Sequence, residues 1–231
     1  MERCLIFRLG MVEYGRALEL QRALAGARIE GEVGDLLLLL QHPPTITLGR
    51  GGGRGHLLVD DGNLRAKGIA FFEVERGGGI TYHGPGQLVG YPILDLGLHG
   101  RDLHLYGRKL EEVLIRALRA FGVQAERAPG FTGVWAGSRK IASIGLHVKR
   151  WVSWHGFALN VDVDLTPFRL IIPCGLRGVE MASMAELLGR KVPMEAVEDR
   201  VIAHFQEVFR IEAQEGSLEG LGALPLSPSQ A

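Results

Sequence analysis

The sequence predicts a mixed α/β domain of the α+β kind, on three observations. A run of five leucines, Leu36–Leu40, ends at Gln41-His42-Pro43-Pro44 and reads as a buried strand. Leu103, Tyr106, Leu110, Val113, Ala117 and Phe121 recur at three- or four-residue steps behind Asp102, which marks a capped amphipathic helix. Other short apolar segments are separated by Gly and Pro breaks, without the strict strand–helix alternation of a doubly wound sheet.

Taken in order, Glu13–Arg28 is rich in Ala, Leu, Arg and Glu and is expected to form a surface helix. Asp35–Gln41, Thr45–Leu48 and Ile69–Glu75 are expected strands. Ile80–His83 and Gln87–Leu96 read as two more, bent about Gly84-Pro85-Gly86. After the capped helix, Gly133–Ala136, Lys140–Lys149 and Ser153–Val163 read as successive antiparallel strands. Val179–Leu188 and Glu195–Phe209 close the fold as helices, the second just after Pro193. From Glu212 the periodicity gives way to Gly, Ser and Pro. One domain over residues 1–211 and a mobile or loosely packed tail over 212–231 follow.

Bulk properties exclude several classes of function. Lys and Arg number 26 and Asp and Glu 26, so net charge points to neither nucleic acid nor an anionic membrane. The leucine run is far short of the ~20 residues that cross a bilayer. The N-terminus lacks a signal peptide's apolar stretch and cleavage site, so a cytoplasmic protein is expected. With two cysteines, no CxxC and no HExxH, neither a disulfide framework nor a metal is expected. The Gly-rich stretch RGGGITYHGPGQLVGYPILDL, Arg76–Leu96, fits neither the P-loop nor GxGxxG, so phosphate binding has no support there.

Two residues stand out chemically. Cys174, in IIPCGLRG, reads either as a small buried hydrophobe or, flanked by Pro173 and Gly175 at a break after an apolar segment, as a thiol facing a cleft. Only about 3% of a thiol is ionised at pH 7, so a nucleophile there needs a partner. His83, His147, His155 or a lysine could serve. Five of the 26 basic residues are lysines. Lys140 shares the parity of Ala142, Ile144, Leu146 and Val148, which turns it inward if that face is interior. An inward lysine, unlike arginine, can release its proton. Ser143, Gly145, Gly156 and Ala158 are small residues on neighbouring strands, leaving room either for a ligand or for close sheet packing.

Four segments, RGGGITYHGPGQLVGYPILDL, SRKIASIGLHV, WVSWHGFALNVDVDLTPF and IIPCGL, together resemble the lipoyl(octanoyl) transferase family. The resemblance runs from about Leu36 to Leu188. It implies the biotin/lipoate protein ligase type of fold, a larger mixed sheet with a smaller one beside it, flanked by helices. It implies transfer of an octanoyl group from acyl carrier protein to a lysine of a lipoyl domain, in lipoate biosynthesis, with no cofactor. The acceptors would be the lipoyl domains of 2-oxoacid dehydrogenases and the glycine cleavage H protein. Cys174 would form the thioester and Lys140 would lower its pKa and move protons. Arg76, Gly77, Gly78, Gly79, Ile80, Thr81, Tyr82 and His83 would line the substrate pocket, with Ser143, Ile144 and Gly145, and Gly156, Phe157 and Ala158, as the other walls. Two positions depart from the family pattern: Gly79, where a larger residue is frequent, and His147, where arginine is common.

Three alternatives remain at this level. An ATP-dependent lipoate or biotin protein ligase would share the fold, and GRGGGRG at Gly49–Gly55 superficially resembles a nucleotide loop. A non-enzymatic acyl-binding module would need no nucleophile. An amidotransferase moving octanoyl between two lipoyl-type domains would use Cys too. The PCGL motif favours the transferase over the ligase.

Overall fold

The computed structural model describes residues 2–175 and 178–216, and the Cys174 side chain also lies outside the described set. The chain runs β1 (Glu2–Met11), α1 (Tyr14–Glu30), β2 (Asp35–Gln41), β3 (Thr45–Leu48), α2 (Asp61–Ala66), β4 (Ala70–Glu73), β5 (Ile80–His83) and β6 (Gln87–Ile93). It continues through α3 (Leu103–Ala120), β7 (Val134–Ala136), β8 (Arg139–Lys149), β9 (Val152–Asn160), α4 (Met184–Leu188), α5 (Met194–Phe209) and β10 (Ile211–Glu215). Seven strands form one sheet in the order β10-β1-β2-β6-β9-β8-β7, and β4-β3-β5 form a second.

The leucine run explains the layering. Alternation along β2 sends Leu37 and Leu39 into a core shared with α3 and α5. Leu36, Leu38 and Leu40 enter a second core built with α1 on the opposite face. All five are fully buried, each contributing on the order of 2 kcal/mol. Helix α3 begins where expected: the Asp102 carboxylate accepts from the His104 and Leu105 N–H groups at 2.8 and 3.0 Å. None of the described helices is long and apolar enough to cross a membrane.

Three elements differ from the sequence reading. Residues before Met184 are not helical. The Lys140 N–H donates to Glu180 O at 2.8 Å, and the Ala182 N–H donates to Lys140 O at 2.9 Å, so this stretch extends along β8. Backbone pairing there outweighs the helical spacing of the side chains. Residues 211–215, mostly assigned to the tail, form β10 parallel to β1. Their alternation buries Ile211 and packs Ala213 on the core, which the polar composition of IEAQE conceals. Residues 217–231 of the expected tail lie outside the described residues. Finally, β5 and β6 do not pair with one another. The Gly84–Gly86 turn passes the chain from the smaller sheet to the larger. Gly86 has φ +86°, and a Cβ there would come within 2.5 Å of Asp162 O, so only glycine fits.

Candidate active site

The two glycine-rich stretches clasp each other. The N–H groups of Gly49, Arg50 and Gly51 donate to the carbonyls of Gly79, Arg76 and Gly78 at 3.0–3.1 Å, and the Gly52 N–H donates to Gly49 O. A Cβ on Gly49 would sit 2.5 Å from Gly78 O. These amides therefore have carbonyl partners inside the protein, where a nucleotide loop would turn them toward phosphate.

Beside this clasp is a narrow cavity of about 40 Å³ between the smaller sheet and one face of the larger. Arg76, Gly78, Gly79, Ile80, Thr81 and His83 form one wall; Ser143–Gly145 of β8 and Gly156–Ala158 of β9 form the other. Gly77 and Tyr82 do not line it. The Gly77 N–H donates to Leu146 O at 2.7 Å and ties the turn to β8. Strand alternation sends Tyr82 the opposite way from His83, edge-on to Phe168 in a third core cluster. Of the two residues expected to face a substrate, only His83 lines this cavity. Tyr14, Val89, Tyr91 and His155 also line the cavity. Of these, only His155 had been singled out in the sequence, as a partner for the thiol.

Close sheet packing and cavity lining coexist at the small residues. A Cβ on Gly145 would meet Gly77 O at 2.8 Å and Arg76 Cδ at 3.1 Å. Arg76 itself is buried and donates to Thr47 O at 2.8 Å and Thr47 Oγ1 at 2.7 Å, which holds the guanidinium against the cavity.

Lys140 reaches this face through a bulge. On β7 the step from Trp135 to Val134 is one residue; on β8 the paired step from Lys140 to Ala142 is two. Ile141 is the extra residue, and Ile141 and Ala142 both enter the α3/α5 core, which regular alternation forbids. Lys140 therefore shares the face of Ser143 and Gly145, not that of Ala142 as simple parity predicts. It is 3% exposed, donates from Nζ to Thr132 O at 3.0 Å and lies 5.6 Å from the Trp135 ring.

A polar chain links Lys140 to the cavity wall. His83 Nδ1–H donates to Gln87 Oε1 at 2.8 Å, and Gln87 Nε2 donates to Asn160 Oδ1 at 2.9 Å. Asn160 Nδ2 then donates to Ala182 O at 3.0 Å, on the segment paired with Lys140. That segment, Glu180–Ala182, follows the 3-10 turn Pro173–Gly175 carrying Cys174 by a few residues of chain. Gly175 has φ +71° and faces the His56 ring, whose backbone carbonyl accepts the Ile172 N–H at 2.8 Å. An open cleft of about 1050 Å³ adjoins the turn, bordered by Ile172, Pro173 and Glu180 and by the Arg139–Glu186 ion pair.

Burial keeps the site's histidines neutral. His42 donates from Nδ1 to Val12 O and accepts at Nε2 from the Tyr91 hydroxyl, both at 2.7 Å, and burial pushes it down to about 4. Burial lowers His155 to about 3 and holds His83 well below its usual range. Glu75 is pulled down to about 2, first by its two hydrogen bonds from Arg22 at 2.9 and 2.7 Å. His147, the other candidate partner, lies outside the cavity, with Nδ1 donating to Glu75 O at 3.0 Å and its ring 4.2 Å from Trp154. Among the described residues no three His, Cys, Asp or Glu side chains converge as a metal site.

These histidines set an acid limit. Their folded pKa values lie below the unfolded 6.5, so the unfolded chain binds more protons between about 6.5 and 4. The stability they contribute is complete above about 6.5 and is lost as pH falls toward 4 and 3. With ~1.4 kcal/mol per proton per pH unit, the expected loss by pH 5 is on the order of 5 kcal/mol. Urea midpoints at pH 7.5 and pH 5 measure it, and equal midpoints would contradict it.

The two-sheet architecture is the mixed α/β fold of lipoate and biotin protein ligases. The family model for the lipoyl protein ligase A/B catalytic domain matches residues 13–206. A lipoate-protein ligase A solved with ATP superposes with a TM-score of 0.74 over 96% of this chain and 92% of that one, at 20% identity. Two relatives are much nearer in sequence. An octanoyltransferase from Solibacter usitatus is 50% identical over 217 residues, 94% of this chain and 98% of that protein. Another from Gloeobacter violaceus is 51% identical over 220 residues, 95% and 96% of the two chains. The chain belongs to the octanoyltransferase family, acyltransferases of lipoate biosynthesis.

Proposed function

We propose that the octanoyl group travels by way of a Cys174 thioester, in the cytoplasm, from acyl carrier protein to a lysine of a lipoyl domain. The acceptors are the lipoyl domains of 2-oxoacid dehydrogenases and the glycine cleavage H protein. The observation that carries this reading is the placement of Lys140, a buried lysine brought by a bulge to the cavity face and paired with the segment that follows the Cys174 turn.

In the first half-reaction the Cys174 thiolate attacks the carrier's thioester carbonyl, the carrier leaves as a thiol with a proton from the Lys140 ammonium, and one thioester replaces another. An ammonium nearby favours the thiolate, an opposite charge within ~4–6 Å shifting a pKa by 1–3 units. In the second, the acceptor amine attacks, its proton passes to the neutral Lys140 amine, and Cys174 leaves as the amide forms. The product amide is more stable than the thioester, so no ATP enters. An octanoyl tail carries about seven apolar carbons worth ~0.8 kcal/mol each, roughly 5 kcal/mol on burial. The cavity holds on the order of a few waters, so the chain enters by parting the glycine-lined walls. The open cleft beside the Cys174 turn is where carrier and acceptor proteins approach.

Intact-mass measurement after incubation with octanoyl-loaded carrier protein tests this reading. The expected result is one octanoyl adduct, removed by hydroxylamine and mapping to Cys174. Adenylate formed from ATP and free octanoate, without an adduct, would instead support the ligase reading. The loop amides already bonded to Arg76, Gly78 and Gly79 carbonyls favour the transferase.

A further inference from the structure

One end of the cavity is polar in a way that an acyl pocket does not require. His155 is 1% exposed, and neither ring nitrogen has a hydrogen-bond partner among the described residues. Gln21 of α1, fully buried, accepts the His155 backbone N–H on Oε1 at 2.9 Å, and its amide faces the Tyr91 hydroxyl. Tyr91 stands edge-on to the imidazole at 6.4 Å, and a Glu75 carboxylate oxygen is 4.0 Å away. His155 also has φ +56°, a conformation unusual for a residue other than glycine within a strand. Buried polar atoms without partners are destabilising, and a leucine would fill this volume without that penalty. Strain and unpaired polar atoms at one place mark a constraint other than packing.

Strand register shows what that constraint measures. On β8, Ser143 lies three residues from Lys140, and Leu146, paired with His155, lies three further on. At ~3.3 Å per residue, the Ser143 and His155 rows are about 10 Å apart. An extended octanoyl chain, with seven C–C bonds of ~1.5 Å, is at most about 10 Å long. A thioester carbonyl level with Ser143 therefore brings the terminal methyl level with His155. A longer chain would have to press methylenes against the imidazole nitrogens and the Gln21 amide.

We infer that His155, backed by Gln21, is the end wall that limits the length of the transferred acyl chain. This rests on the reading that the cavity holds that chain. His155→Gly removes the wall and favours the positive φ, and Gln21→Leu removes the amide at similar volume on a separate element. Each protein receives an equimolar mixture of octanoyl- and decanoyl-loaded carrier protein, and product masses are read on the lipoyl domain. That readout does not depend on whether a cysteine adduct forms. The decanoyl-to-octanoyl product ratio is expected to rise about tenfold in His155→Gly, as two methylenes become buriable, and severalfold in Gln21→Leu. Continued transfer with a wild-type ratio in both variants would overturn the inference. Absence of transfer by the wild-type protein would instead overturn the reading on which it rests. Should His155→Gly fail to fold, the Gln21→Leu ratio decides.

Discussion

Cys174→Ala is expected to abolish octanoyl transfer, lowering the rate on the order of 10⁴-fold or more, and to eliminate the hydroxylamine-labile adduct. Removing a covalent nucleophile leaves only binding and electrostatic contributions, which alone recover a small part of an enzyme's rate. The substitution removes one sulfur from a short 3-10 turn held by the His56 carbonyl and by pairing at Glu180–Ala182, so the fold should persist. Thermal midpoints equal within a few degrees would show this. A variant retaining transfer within tenfold of wild type would exclude the thioester path.

Lys140→Arg is expected to separate charge from proton transfer. The permanent cation still favours the thiolate, but a guanidinium cannot accept the acceptor amine's proton. General-base contributions of 10²–10⁴ set the expected fall in aminolysis. Alkylation of Cys174 at pH 7 reads the thiolate independently and should change little in Lys140→Arg, while falling in Lys140→Met. Space is tight: a Cβ on Gly133 would lie 2.7 Å from Lys140 Cε. The thermal midpoint is therefore measured alongside, to keep steric strain apart from lost chemistry. Undiminished turnover in Lys140→Arg would reduce Lys140 to a fixed charge.

Periodicity revealed most of the scaffold because burial wrote it plainly. The five leucines of β2 and the α3 stripe each face a core, and their spacing could mean little else. Local signals failed where a distant partner decided the outcome. Nothing in VPMEAVEDRV or IEAQE announces that residues 211–215 join the edge of a sheet beside β1. Val179–Ala182 gave up helical spacing to pair with Lys140. At the site, the glycine clusters and small strand residues were visible because close backbone approach demands them. Tyr14, Gln21 and Tyr91 were not, since α1, β6 and β9 converge only in three dimensions and each residue taken alone reads as ordinary core. The parity argument for Lys140 reached burial, yet chose the opposite face, because RKIAS carries no mark of a bulge.

That bulge makes the site depend on counting. A regular strand assigns its residues to two faces in strict turn, so any one face is reserved for a single environment along its whole length. The additional residue at Ile141 resets the count near the start of β8. Beyond it the strand keeps hydrophobic side chains against α3 and α5; before it, the same sequence phase delivers an amine to the opposite compartment. The placement of Lys140 is thus vulnerable to a change in length more than to a change in identity. Loss of one residue between Lys140 and Ala142 would leave every functional side chain present and turn this one to the wrong side.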